Sequence, residues 1–351
     1  MILRCFHALL RGAAFLFALL LMLWFPDAGI RGIVQGLHCC AGQIIPALFP
    51  FFVLSAMLLA DPAARWLGMG LRPVTLLLGI RSRRAPSALL MSWLGGFAVA
   101  ARCVSQLYEE HALTDRQAQC LLIAGAGSSP AFVVNAVGLL MLGSSQAGFL
   151  LLGALLAANG CCAMLFRLTG GREPLPDTEP VSGKPVTLAD AVRQAVDSTL
   201  TVCGFILFFH FILGILLPLL PDRPALHFAA ACLLEVTAGC RAGAADPLPL
   251  YACCAALSLL SLSVLLQIRA LLSPQLSLRP LILSRLVHLP LALLFLRAEL
   301  LLWPVSVPAC STLAPRVFVR SRVPADAALL IFLLCCTILH RLDALRRRGA
   351  G

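Results

Sequence analysis

Long apolar runs interrupted by short polar clusters set the pattern of this chain. Leucine-rich stretches such as Phe15 to Phe25 do not alternate apolar and polar positions, which argues against a β-barrel and predicts membrane-spanning helices. Two clusters carry what a continuous membrane helix avoids. One is Ser92-Trp93-Leu94-Gly95-Gly96-Phe97-Ala98-Val99-Ala100-Ala101-Arg102, and the other is Gly125-Ala126-Gly127-Ser128-Ser129-Pro130. An unpaired backbone amide or carbonyl in hydrocarbon costs on the order of a few kcal/mol, so non-helical backbone persists there only inside protein or along a cavity. A second pair, Glu235-Val236-Thr237-Ala238-Gly239 and Ser258 to Gln267, lies in the other half. Small residues also serve ordinary helix packing in membranes. Two pairs in corresponding halves point instead to a binding site built from broken helices.

Taken in order, the pattern predicts a first span over Gly12 to Phe25, a turn at Asp27 to Arg31, and a long segment, Ile33 to Ala60, bent at Pro46 and Pro50. Asp61 to Arg84 is too polar to cross and is placed at the cytoplasmic surface. Pro86 to Val104, flanked by charge on both sides, reads as a re-entrant hairpin, with a full span as the alternative. Ser105 to Gln117 reads as an amphipathic surface helix, with an N-cap signal at Thr114. Ala118 to Leu142 and Gly148 to Phe166 cross. Arg167 to Arg193 is a hydrophilic linker. Thr199 to Leu220 opens the second half. Leu226 to Ala244 is a second re-entrant hairpin, from the opposite side. Leu248 to Gln267, Leu281 to Trp303 and Ala328 to His340 are further spans.

The expected fold is therefore an all-α polytopic membrane protein with about eight transmembrane helices and two re-entrant hairpins in two inverted repeats. Its divisions are an N-terminal anchor at 1–32, repeats at 33–166 and 194–304 joined by the linker 167–193, and an outer loop, last helix and basic tail at 305–351. Arg4 and Arg11 at one end, and Arg341, Arg346, Arg347 and Arg348 at the other, place both termini in the cytoplasm.

Composition agrees. Of 351 residues 60% are hydrophobic and 12% charged, and the mean hydropathy is +0.94, which requires lipid as the solvent. The formal net charge of +11 comes from arginines scattered over short loops and segment ends. That distribution fits the positive-inside rule and excludes a nucleic-acid partner. Most of the fifteen cysteines sit in apolar runs, several as adjacent pairs such as Cys39-Cys40 and Cys253-Cys254. Neighbours on a helix point about 100° apart, so these pairs chelate poorly and read as small packing residues; neither a metal nor another cofactor is expected.

Within the breaks, Gly95, Gly96, Phe97, Arg102, Ser128, Ser129, Pro130, Glu235, Thr237, Ser263 and Gln267 are the expected substrate-binding residues. Glu235 is the sharpest, because a carboxylate at membrane depth needs a partner, an ion or water; the bland alternative puts it at a hairpin tip near the surface. Phe49, Phe51, Phe52 and Phe97 offer stacking faces. Arg285 fits an anion ligand or, by its place near a span end, an interfacial anchor; His288 reads as a packed, hydrogen-bonded residue. No GxxxxGK[ST], HExxH or GxSxG occurs, so no enzyme is expected.

Several stretches resemble one family in order: Ile45-Pro46-Ala47-Leu48-Phe49-Pro50-Phe51-Phe52-Val53, Ser128-Ser129-Pro130-Ala131-Phe132-Val133, Gly204-Phe205-Ile206-Leu207-Phe208, Leu234-Glu235-Val236-Thr237-Ala238-Gly239, Leu262-Ser263-Val264-Leu265-Leu266-Gln267 and Leu286-Val287-His288. They resemble the YlbJ-like sporulation integral membrane proteins, of the nucleoside-recognition or Gate-domain families, which are similar to concentrative nucleoside transporters. The resemblance implies two inverted Gate-type halves and transport of dipicolinate across the outer forespore membrane during sporulation. Gly95 to Arg102 departs from that family's Ser-Gly-Tyr/Phe-Pro-x-Gly-Ala-Lys: the Ser, Pro and second Gly are gone and the Lys is Arg. An Asn expected near Gly127 is also absent. The partners expected are the lipid bilayer and a small-molecule anion or nucleoside-like solute. An ion-coupled nucleoside carrier and a non-transporting scaffold are the alternatives, and association with further copies is left open.

Overall fold

Prolines and side-chain caps decide where the helices of this chain begin. The computed structural model describes residues 16, 19–20, 22–61, 66, 68–170 and 186–305. Its α-helices are α1 (Pro26–Cys39), α2 (Ile45–Ala60), α3 (Arg72–Leu77), α4 (Ala85–Gly95), α5 (Phe97–Glu109), α6 (Asp115–Gly125), α7 (Ser145–Leu168), α8 (Leu188–Leu219), α9 (Pro224–Leu234), α10 (Val236–Gly243), α11 (Pro249–Ser258), α12 (Leu262–Leu271) and α13 (Arg279–Leu302). A wide-wound π segment, Ala131–Met141, follows α6. Among the described residues there is no strand.

Seven of these helices carry Pro in their first two positions, where its missing N–H costs nothing: α1, α2, α3, α4, α9, α11 and α13. Five are closed by a side chain accepting from an amide of the first turn: Thr114, Ser144, Thr187, Glu235 and Ser261 cap α6, α7, α8, α10 and α12. At α6 the closure is a full capping box, since Gln117 reaches back to the Thr114 amide. Helix α5 alone has neither device; it starts at Gly96 with no side-chain cap.

At both places where a hairpin is expected, two helices pack back on each other. Helices α4 and α5 are separated by the single residue Gly96, and α9 and α10 by the single residue Glu235. Each hairpin is followed by an interrupted helix. Helix α6 and the π segment are parted by 126–130; α11 and α12 are parted by 259–261, where Leu260 takes a φ of 50°. Long helix, hairpin, interrupted helix, long helix thus occurs twice, with α8 packed on α1 and α2, and α13 on α7. The second arm of each hairpin packs on the later half of the other repeat's interrupted helix: α5 on α12, and α10 on the π segment. All described residues fall in one compact unit.

Among the described residues, four helical stretches are long and apolar enough to cross a membrane: Ser145–Leu168, Leu188–Leu219, Pro249–Leu271 and Arg279–Leu302.

Several expected boundaries move. Asp27 to Arg31 is not a turn but the first turn of α1, because Pro26 starts that helix well. The segment over Pro46 and Pro50 stays helical through a π turn at Cys40–Ile44, whose wider winding absorbs the donor lost at the prolines. Ser105 to Gln117 is not one surface helix: Ser105 to Glu109 ends α5, and α6 begins after Thr114. Helix α8 starts at Leu188, earlier than Thr199, because Thr187 caps it by accepting from Asp190 N at 3.2 Å. Most of the first span, the centre of the linker, nearly all of the outer loop, the last span Ala328 to His340 and the C-terminal arginines lie outside the described residues.

Candidate functional site

The two hairpin tips and the two interrupted helices meet around one cavity of about 360 Å³. From the first tip come Gly95, Gly96, Phe97 and Ala98; from the first interruption Ser128 and Ser129; from the second tip Glu235, Val236 and Thr237; and from α12 Val264 and Gln267. Two hollows of about 430 and 570 Å³ are lined elsewhere, by residues such as Trp66 and Met69 or Ile30 and Val34, and hold no hairpin tip.

Gly96 is required where it stands. Its φ of 83° and ψ of −166° lie in a region essentially confined to glycine. A Cβ there would sit 2.9 Å from Ser129 N and 3.3 Å from Gly127 O, so the tip presses directly on the interrupted helix. Trp93 ties the same hairpin down by donating Nε1 to Ala124 O at 3.0 Å. Helix α5 starts at this end of the cavity, with Phe97 and Ala98 of its first turn in the lining and no capping side chain on its first-turn amides. An uncapped helix N-terminus carries a partial positive charge and open donors, the elements of an anion site.

The other helix starts at the cavity are closed internally. Ser129 Oγ accepts from Phe132 N at 3.3 Å, Glu235 Oε2 from Ala238 N at 2.8 Å, and Ser261 Oγ from Val264 N at 3.4 Å. Ser128 Oγ, in contrast, is buried, lines the cavity and has no hydrogen-bond partner. Gln267 Nε2 donates to Ser263 Oγ at 3.0 Å, which fixes the amide against the cavity wall.

The expected site residues sort as follows. Gly95, Gly96, Phe97, Ser128, Ser129, Glu235, Thr237 and Gln267 line the cavity. Ser263 stands behind Gln267, and Pro130 begins the π segment that carries Phe132 and Asn135 to the wall. Arg102 does not join them: two turns from the tip on α5, it donates to Gln194 Oε1 at 3.1 Å. Of the four phenylalanines expected to stack, Phe97 lines the cavity; Phe52 is buried in the core and Phe49 and Phe51 pack against it. Glu235 stands at its hairpin tip and is 1% exposed.

Arg285 does not anchor at an interface. It is buried, donating Nη1 to Asn159 Oδ1 at 3.2 Å and Nη2 to Ala126 O at 3.4 Å. Ala126 ends α6, so the guanidinium sits where the helix dipole is negative and a carbonyl has lost its helical partner. His288 is packed as expected, with Nε2 3.3 Å from Leu155 O. Asn135, Asn159 and His210 were not singled out from the sequence. Each is a lone polar residue in an apolar run, and that isolation is the signal that marks them.

Among known proteins, the chain is similar to the sporulation integral membrane protein YlbJ of Bacillus subtilis strain 168, at 25% identity over 229 residues, 58% of this chain. The chain spans about half the length, 55%, of that relative. No protein-family model and no solved structure matches it.

Proposed function

We propose that this chain is a membrane carrier for a small planar anion, with dipicolinate as its substrate and the outer forespore membrane as its place of work. The two halves are then inverted Gate-type repeats, with about eight spans in all and both termini in the cytoplasm. The similarity to a sporulation integral membrane protein supports a membrane role in sporulation. The observation that carries the anion reading is the start of α5: among thirteen described α-helices it alone lacks both Pro and a capping side chain, and it opens on a cavity beside the unpaired Ser128 hydroxyl. A carboxylate supplies what both groups lack. Phe97 and Phe132 in the cavity lining suit an aromatic ring, and about 360 Å³ is at the small end of ligand pockets.

Purified protein in liposomes is expected to take up radiolabelled dipicolinate, with uptake lost in Ser129→Ala and Glu235→Ala. Absence of uptake by folded, inserted protein overturns the carrier reading and leaves a scaffold. One observation favours a nucleoside-like solute instead: Glu235 and Gln267 in the cavity lining are suited to accept and donate hydrogen bonds to hydroxyls and base edges. Competition by uridine, without competition by benzene dicarboxylates, would decide for that reading.

A further inference from the structure

Behind the cavity wall, Glu235 has one neighbour that the carrier reading leaves unused. His210, on α8, lies one turn beyond the wall residue Ile206, and its Nε2 is 3.8 Å from Glu235 Oε2. Both side chains are almost wholly buried, at 2% and 1% exposure. Helix α1 packs tightly on the backbone of α8 here: a Cβ on Gly32 would fall 2.3 Å from His210 O, so only glycine allows the close approach.

The hydrogen bonds fix where protons can be. His210 Nδ1 is 3.0 Å from Ile206 O, an acceptor, so Nδ1 carries a hydrogen. Nε2 has no hydrogen-bond partner. With Nε2 bare and Glu235 ionised, a lone pair faces a carboxylate that has the Ala238 amide as its hydrogen-bond donor but no cation beside it, and a net negative charge stays buried. One proton removes the conflict, whether it rests on Nε2 as an imidazolium or on the carboxyl group. Among the described residues, the other titratable groups around the pair are thiols and one guanidinium: Cys39 and Cys40 from the α1 end, Cys203 from α8, Cys232 from α9, and Cys240 and Arg241 from α10. A thiol ordinarily titrates about two pH units above a histidine, and Arg241 is exposed at the far end of α10. From α12 the neutral Ser263 and Gln267 face the same space.

We propose that His210 and Glu235 form a one-proton site in the cavity wall, and that its protonation governs whether the cavity accepts an anion. The inference rests on the anion reading of the same cavity. With the proton present the pair is neutral overall and the open end of α5 sets the local potential. Without it, a net negative charge stands in the lining of the cavity that the anion must enter. Anion binding and protonation therefore favour each other, and linkage makes the effect reciprocal.

Equilibrium binding of radiolabelled dipicolinate to the purified full chain tests this. Between about pH 6 and pH 9, where both ligand carboxyl groups stay ionised, affinity is expected to fall by up to about tenfold per pH unit above the point where the pair loses its proton. His210→Gln and Glu235→Gln remove the titration, and Glu235→Gln keeps an amide oxygen for the Ala238 cap. Both variants are expected to flatten the pH profile. A purely structural role would lower affinity equally at every pH, and an unchanged slope in both variants overturns the proposal. Infrared titration of the carboxyl band separates the two readings. A band present in the wild type, absent in Glu235→Gln and displaced in His210→Gln upholds the pair even where dipicolinate fails to bind at any pH, a result that would sink the anion reading alone. A band that His210→Gln leaves unmoved overturns the pair.

Discussion

Gly96 and Glu235 hold the same station in the two hairpins. Gly96 N donates to Ser92 O at 2.8 Å and Gly96 O accepts from Ala100 N at 2.9 Å; Glu235 N donates to Ala231 O at 2.8 Å and Glu235 O accepts from Gly239 N at 3.0 Å. Each is the one extended link between two helices, but one has no side chain and the other a carboxylate. The two ends of the cavity consequently differ in charge, with an open helix start at one and a capped, acidic start at the other.

Gly96→Ala tests the first of these stations. The backbone there costs a non-glycine residue about 1–3 kcal/mol, and the added methyl meets backbone at Ser129 N rather than a side chain able to swing away. The variant is expected to unfold earlier in a denaturant titration in mild detergent by at least that amount. Dipicolinate binding should fall as well, since the tip can no longer rest on the interrupted helix. A wild-type midpoint would contradict the tight fit.

Arg285 and Asn159 brace the interruption between α6 and the π segment. Arg285→Met leaves Ala126 O and Asn159 Oδ1 without their donor, and each buried orphan costs about 1–3 kcal/mol. Asn159→Ala removes one of the same bonds. The double variant should therefore be less destabilised than the sum of the singles, with a coupling of about 0.5–3 kcal/mol in a double-mutant cycle. Strict additivity would show that the two side chains act apart.

The interruptions themselves were legible in the sequence, because Gly95-Gly96, Gly127-Ser128-Ser129-Pro130 and Glu235 place flexible or capping residues inside apolar runs. What holds them was not. Arg285 reads as an interfacial anchor because a span end is where arginine usually stays hydrated, yet its partners lie 126 and 159 positions away. His210 meets Glu235 by the packing of α8 on the second hairpin, which no local pattern announces. Arg102 was misplaced for a simpler reason: helix α5 runs on without a break and carries it away from the tip to Gln194.

Thr114 provides a control remote from the cavity. Its hydroxyl closes α6 by accepting from Gln117 N at 3.3 Å, and Thr114→Ala should cost about 1 kcal/mol of stability. Dipicolinate affinity should not change. A loss of affinity comparable to that of Gly96→Ala would mean that the stability of α6, and not the geometry of the tip, sets binding.

Asn135 distinguishes a charged solute from a neutral one. It lines the cavity from the π segment. Aspartate has nearly the same shape, so Asn135→Asp changes the charge with little change in packing. A second negative charge beside a bound carboxylate, at the intermediate effective dielectric of a half-open cavity, repels it by on the order of 1–3 kcal/mol, which is a loss of about tenfold to a hundredfold in affinity. A nucleoside carries no charge and should bind the variant nearly as well as the wild type. Measuring dipicolinate and uridine against both proteins at one pH separates the cases: a selective loss of dipicolinate supports the anion reading, and retention of both affinities places the solute's charge away from Asn135 and against the geometry argued for the α5 end.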